Sequence, residues 1–200
     1  MLGIGLKLGA AGLIVFVPFF VLIRSSVYFY LTVKLPVWVS MGLGVCLTVL
    51  LLLVYLHRLK GDVSLLGGKI LLGVVGVYCL YTVLYIAPGN SQSNEIRETF
   101  RALNPILRLA TGTWTVFDRG LVVTGTSRKR SDYAKMGLPE ARTSMHYVQK
   151  NGYVHGVDLR VKERSFVRNL ATRAYFEVLG FRTLRHVGTA DHLHVSLPLP

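Results

Sequence analysis

Of the six histidines in this 200-residue chain, five fall after residue 145. Asp191-His192-Leu193-His194 opens a run ending VSLP that reads as a strand. On a strand, His192 and His194 point to the same face. Two imidazoles on one face beside a carboxylate suit a divalent, zinc-like cation; packed or surface histidines near a chain end are the plainer account. A second group, Ser144-Met145-His146 followed by His155-Gly156-Val157-Asp158-Leu159, adds nitrogen and oxygen donors from another segment. Asp158 interrupts a run that otherwise reads as strand core, where a carboxylate is costly unless paired or metal-bound. A salt bridge to an arginine such as Arg160 or Arg185 is the competing explanation. In the third group, Val122-Val123-Thr124-Gly125-Thr126-Ser127-Arg128, a strand runs into a tight turn that presents Arg128. A guanidinium there could clamp a substrate carboxylate or an oxyanion through two parallel hydrogen bonds. Lys129 and Arg130 follow, and a basic run is commonly a solvated face.

These groups need a scaffold. Pro88-Gly89-Asn90-Ser91-Gln92-Ser93 reads as a turn-forming linker. Behind it, Ile96, Phe100, Leu103 and Leu107 recur at helical spacing, with Ser93 or Asn94 as N-cap and Glu95 in the first turn. Pro105 should kink or restart that helix. Thr113–Asp118 and Gly120–Gly125 look like short strands. Ser165–Leu179 reads as an amphipathic helix with Phe166, Val167, Leu170, Ala171 and Ala174 inward, ended by Gly180. Phe181–Val187 and His192–Leu197 read as closing strands. Residues 91–200 are thus expected to form one α+β domain.

The rest of the chain has a different composition. Charged residues are 16% of the whole, against about 25% in typical soluble domains. Residues 1–90 carry six basic and one acidic residue; residues 91–200 carry seventeen basic and nine acidic, a net +8. A uniform soluble domain, a disordered chain and a disulfide-stapled module are all excluded. Both cysteines, Cys46 and Cys79, lie in the apolar part, so residues 91–200 hold no disulfide and no thiolate-ligated metal. A bilayer core of ~30 Å needs about 20 apolar residues per helix. Residues 8–31, 35–56 and 70–87 meet or approach that length, giving an all-α anchor of three transmembrane helices over 1–90. Tyr28, Tyr30, Trp38, Tyr55 and Tyr85 fall near their ends, as interfacial aromatics do. A cleaved signal peptide is the rival for the first stretch, yet two apolar stretches would remain.

The most basic connection, His57–Lys69 with Arg58, Lys60 and Lys69, is expected on the cytoplasmic side. That puts Lys7 inside and residues 91–200 outside, with Arg24 and Lys34 running against the rule. Anchoring accounts for three spans better than transport does. Gly42, Gly44, Gly73 and Gly76 would permit close contact with another helix, including a membrane-protein partner. The basic residues are scattered and form no nucleic-acid motif, so no nucleic-acid partner is expected despite a pI near 10.1.

Taken in order, strand–T-G-x-x-R, S-x-H, G-x-D-L and D-H-x-H-V resemble the zinc D-Ala-D-Ala carboxypeptidase family. That family embraces VanX/VanY-type peptidases and phage endolysin peptidases, on the fold shared with the Hedgehog domain. The resemblance covers about residues 115–197. It implies a Hedgehog/DD-peptidase-like fold, a small antiparallel sheet with flanking helices. It also implies a Zn2+ ion on His146, Asp158 and His194, and Asp191 as acid/base carboxylate. His192 would help polarise the scissile carbonyl, and Arg128 would stabilise the oxyanion or hold substrate. In the family, His and Asp usually stand seven positions apart; here His146 and Asp158 stand twelve apart. Either Asn151-Gly152 turns an inserted hairpin, or His155 is the ligand and His146 stands behind it. The implied activity is hydrolysis of peptidoglycan stem peptides, as carboxypeptidase, dipeptidase or endopeptidase. Wall peptides or lipid-linked precursors are the expected substrates, at the outer face of a bacterial inner membrane. The alternative is a non-catalytic zinc-binding module of the same fold that binds cell wall or a partner protein.

Overall fold

The structure, a computed structural model, describes residues 2–60, 65–135, 137, 143–188 and 191–200. The chain divides into two compact units, Met1–Leu80 and Tyr81–Pro200.

The first unit is helical. It holds α1 (Leu2–Leu31), α2 (Val37–Lys60) and most of α3 (Leu65–Leu84). Among the described residues, two helices are long and apolar enough to cross a membrane, over Val37–Arg58 and Gly67–Leu84, and α1 adds the apolar stretch Val15–Leu31. Residues 61–64, in the middle of the basic connection His57–Lys69, lie outside the described residues. Trp38, Leu43, Leu47, Leu50 and Val54 on α2, and Ile70, Val74 and Val77 on α3, are exposed. Monomeric soluble proteins rarely present contiguous apolar faces of this extent, whereas lipid would cover them. Inside the unit, hydroxyls turn back onto their own helices: Ser26 Oγ donates to Leu22 O (2.7 Å) and Thr48 Oγ1 to Gly44 O (2.8 Å). Gly44 lets α2 approach α1, since a Cβ there would stand 2.7 Å from Leu22 O; Gly42, Gly73 and Gly76 meet nothing within 4 Å.

The second unit is α+β. The expected linker is instead part of its packing. Pro88–Asn90 is a 3-10 turn, and buried Asn90 donates through Nδ2 to the carbonyls of Arg119 (3.0 Å) and Leu121 (2.8 Å). Ser93 caps α4 (Asn94–Thr99), which tightens into a 3-10 turn at Phe100–Ala102. The chain then restarts as α5 (Pro105–Phe117), capped by Asn104 with Pro105 at the first position. Thr113–Phe117 is therefore the end of a helix and not a strand. Its β-branched and aromatic residues are overridden by packing: Thr113 is buried, and the Trp114 ring stacks on Tyr175 at 4.4 Å. The expected strand at Gly120–Gly125 shortens to β1 (Val123–Gly125), followed by α6 (Arg130–Lys135).

β2 (Gly156–Arg160), α7 (Phe166–Leu179), β3 (Arg182–His186) and β4 (His192–Ser196) complete the unit. Ser165 caps α7, and Gly180 ends it with φ 98°, a left-handed conformation that favours glycine. The inward face of α7 is Thr172, Tyr175, Phe176 and Leu179, while Phe166, Val167 and Leu170 are exposed. The bulkier seam wins: Tyr175 donates to Ala110 O (2.9 Å) and Phe176 meets Phe181 edge-on. The four strands are antiparallel in the order β1-β2-β4-β3. Val157, Leu159, Leu193 and Val195 alternate onto one face and are all buried. That alternation turns Asp158, Arg160, His192 and His194 to the other face.

Candidate metal centre

Strand register assembles the site. β2 and β4 pair so that Asp158 lies opposite His194 and Arg160 opposite His192. β3 adds Leu184 opposite His194 and His186 opposite His192. His146 arrives from the loop after α6. Its backbone is pinned by His146 N donating to Ser144 Oγ (3.2 Å) and by Arg128 N donating to His146 O (3.0 Å). Ser144 Oγ also accepts from Tyr133 Oη (2.9 Å), which is what the S-x-H element does structurally.

The twelve-residue gap between His146 and Asp158 is taken up by a small hairpin. Val148 bridges Val154, Gln149 N donates to Tyr153 O (2.8 Å), and Gly152 turns the chain at φ 81°. His155 then forms part of the core. It is fully buried, its Nδ1–H donates to Leu197 O (3.0 Å), and its Nε2 accepts from Asn151 Nδ2 (2.9 Å). Burial pushes its pKa down, so it stays neutral and outside the cluster.

His146, Asp158 and His194 converge, with one ligand atom from each lying within 4.8 Å of the others. His146 Nε2 is 3.1 Å from Asp158 Oδ1, His194 Nδ1 is 2.9 Å from the same oxygen, and the two nitrogens are 3.2 Å apart. Ligand atoms placed tetrahedrally at ~2.0–2.1 Å around zinc stand about 3.3 Å from one another. The donor set and its spacing thus fit a small divalent cation. His146 Nδ1–H donates to Thr126 O (2.5 Å), which orients Nε2 toward the group. A backbone carbonyl holding the far nitrogen is the usual support of a metal-ligating histidine. This buried group could hold a metal ion.

Asp158 is 2% exposed. Burial would raise its pKa. Hydrogen bonds from His146 and His194, with the charges of His146 and Arg128, outweigh it and hold the carboxyl far below its usual range. Arg128 pairs with Oδ2, leaving Oδ1 to the histidines. Two glycines make room: a Cβ on Gly125 would stand 2.7 Å from Asp158 Oδ2, and one on Gly156 would stand 2.8 Å from His194 Cε1.

The remaining expected residues divide. His192 borders the cluster, with Nε2 3.6 Å from Asp158 Oδ1. Arg128 is engaged by the ligand carboxylate rather than presented to a substrate. Asp191 is clamped by Arg185, Nε to Oδ1 at 3.0 Å and Nη2 to Oδ2 at 2.6 Å, and with Leu193 both line a cleft of ≈480 Å³. Leu193 belongs to the opposite sheet face from His192 and His194. The Arg185 hydrogen bonds hold the Asp191 carboxyl below its ordinary value, the reverse of the rise a base at neutral pH would need.

One residue of the site escaped the sequence reading. The His186 ring stacks on His192 at 4.8 Å and meets His194 edge-on at 6.2 Å. The signal was its place in an alternating run, but only the β3–β4 register shows that it faces the cluster. No protein-family model, curated protein or solved structure matches this chain.

Proposed function

We propose that the second unit is a zinc-dependent peptidase that hydrolyses peptidoglycan stem peptides, anchored at the outer face of a bacterial cell membrane by α1, α2 and α3. The observation that carries this reading is the trio of ligand atoms on His146, Asp158 and His194, spaced 2.9–3.2 Å apart. Bound there, zinc would supply a Lewis acid and activate water. The chain's own residues do the rest. Arg128 keeps Asp158 charged and oriented. His192 stands beside the cluster, where its ring N–H can donate to a polarised carbonyl. Asp191 stands on the Leu193 side of β4, so it serves as the proton carrier only if, freed from Arg185, it turns to the face of His146, Asp158 and His194. Arg185 is half exposed, and solvent and salt screen an ion pair of that kind. The net charge of +8 on residues 91–200 favours an anionic polymer as neighbour.

The Asp191–Arg185 pair also favours a second reading, a non-catalytic zinc module of the same architecture that binds wall or a partner protein. One experiment separates the two. The full chain in detergent is assayed for metal, then given muropeptides alongside an Asp191→Asn variant. The peptidase reading expects about one zinc per chain in both proteins, with cleavage lost about a hundredfold or more in the variant. Zinc without cleavage in the wild type would leave the binding module. Equal cleavage by both proteins would remove Asp191 as base.

A further inference from the structure

The span Gly67–Leu84 runs into the second unit, which begins at Tyr81. A helix end leaves its last carbonyls without partners. Two arginines supply donors here. Arg108, 5% exposed, donates through Nη1 to Val83 O (3.0 Å), and Arg101 donates through Nε to Leu84 O (3.3 Å). Cations are favoured at a helix C-terminus, so capping accounts for these bonds. It does not account for the charge that gathers beside them. Burial lowers the Arg108 guanidinium below its ordinary pKa, and the charge of Arg101 adds to that. Arg97 brings a third cation. Arg97, Glu98 and Arg101 share a cleft of ≈480 Å³ with Leu84, Tyr85 and Ile86, a size typical of small-ligand sites. Arg97 gives Nη2 to Asn94 Oδ1 (2.5 Å), and Arg101 gives only Nε. A guanidinium carries five N–H donors, so most of both forks remain for a ligand. Among the described residues neither arginine is in an ion pair, and Glu98 is the only carboxylate lining the cleft. The apolar side of the cleft holds the last residue of the span. Tyr81 and Tyr85 stand there half exposed, their rings 5.3 Å apart, as aromatics do at a membrane interface.

We propose that this cleft binds the headgroup phosphate of an anionic phospholipid, held by Arg97 and Arg101. The end of a span lies at the level of the lipid headgroups, so that ligand is already the neighbour of the cleft. A guanidinium presents two parallel donors to a phosphate. The exposed Leu84 and Tyr85 beside the arginines suit the acyl and glycerol part of a lipid, whereas a soluble anion would leave them unused. This rests on the membrane-crossing part of the functional reading and not on hydrolysis, and it holds on either side of the membrane.

The test uses the full chain, delipidated in detergent and titrated with dioleoyl phosphatidylglycerol or dioleoyl phosphatidylcholine, with bound lipids counted by native mass spectrometry. The wild type should hold its first phosphatidylglycerol about tenfold or more tighter than phosphatidylcholine. Arg97→Gln, which loses one bond to exposed Asn94, should melt like the wild type and bind phosphatidylglycerol about fivefold more weakly. Adding Arg101→Gln should bring the loss to about twentyfold or more. Arg97→Lys with Arg101→Lys should keep part of the selectivity. Glu98→Gln should tighten binding by about twofold or more. Arg58→Gln with Lys60→Gln, an equal loss of charge outside the cleft, should match the wild type. Millimolar glycerol phosphate should leave the lipid in place. Selectivity that survives both glutamines, an equal loss in the Arg58 and Lys60 control, or displacement by glycerol phosphate would overturn the assignment. Alkaline carbonate extraction of native membranes tests the underlying reading separately. Release of the chain would remove the membrane spans, whereas a retained chain whose lipid selectivity ignores Arg97 and Arg101 would remove this site alone.

Discussion

Asp158 sits between Val157 and Leu159 in the middle of β2 and keeps its charge because Arg128, His146 and His194 surround it. Replacing it with alanine would leave a buried cluster of positive and potentially positive groups with nothing to neutralise them. Asp158→Ala should cost about 3 kcal/mol or more and abolish zinc uptake, checked by urea unfolding and metal titration. Unchanged zinc affinity would remove Asp158 as a ligand. His155 makes the opposite case, a buried imidazole held neutral. Its folded pKa lies below the ordinary 6.5, so above that value it favours neither state. Below it the unfolded chain takes up the proton first. Stability should therefore fall as pH drops from about 6.5 toward the depressed folded value, and thermal melts of the wild type and His155→Gln should show a shallower decline in the variant. At this scale Asp158 was legible because a carboxylate breaks an apolar run, and His192 with His194 because their spacing is two. His155 was not separable from a ligand, since its bonds to Leu197 and Asn151 come from folding. His186 and the Arg185–Asp191 pair needed a strand register that no local pattern encodes.

At the scale of elements, α5 was the misreading. TWTVFD has the composition of a strand, yet Asn104 and Pro105 start a helix nine residues earlier and tertiary contacts carry it through. Its end is tied to α7 by a polar network. Arg164 pairs with Asp118 and donates to Thr172 Oγ1 (3.2 Å), which also accepts from Trp114 Nε1 (3.0 Å). Both partners of the ion pair are largely buried, at 6% and 11% exposure. Removing one partner of such a pair strands the other, at a cost of about 3–5 kcal/mol. Arg164→Ala should therefore destabilise the second unit by about 3 kcal/mol in chemical unfolding, with zinc binding preserved while it remains folded. A loss below about 0.5 kcal/mol would mean that the network contributes nothing measurable. Helix caps at Ser93 and Ser165, and the stop at Gly180, were readable because they depend on a few adjacent residues. The inward face of α7 was not. Two apolar stripes compete on it, and only the Trp114–Tyr175 and Phe176–Phe181 contacts decide between them.

For the molecule as a whole, two helices fit for a bilayer precede a basic α+β unit. The expected topology puts that unit outside the cell. Val148 is 60% exposed, so Val148→Cys, with Cys46 and Cys79 replaced by serine, should react with a membrane-impermeant maleimide in intact spheroplasts. Labelling only after lysis would reverse the orientation and end the wall-substrate reading. The large contrast between the two parts was plain from composition, because hydrophobicity and charge are sums that survive ignorance of the fold. The packing of residues 88–93 was hidden, since Pro, Gly, Asn and Ser read alike whether a segment dangles or is bonded in. The glycines beside the cluster carry a further consequence. Gly125 and Gly156 bear no chemistry, yet a single methyl on either would collide with the Asp158–Arg128 pair or with the His194 ring. Gly42, Gly73 and Gly76 have space around them. Evolutionary freedom in this chain should therefore be set by clearance more than by reactivity, with descendants forced to keep emptiness at two places as strictly as they keep the donors themselves.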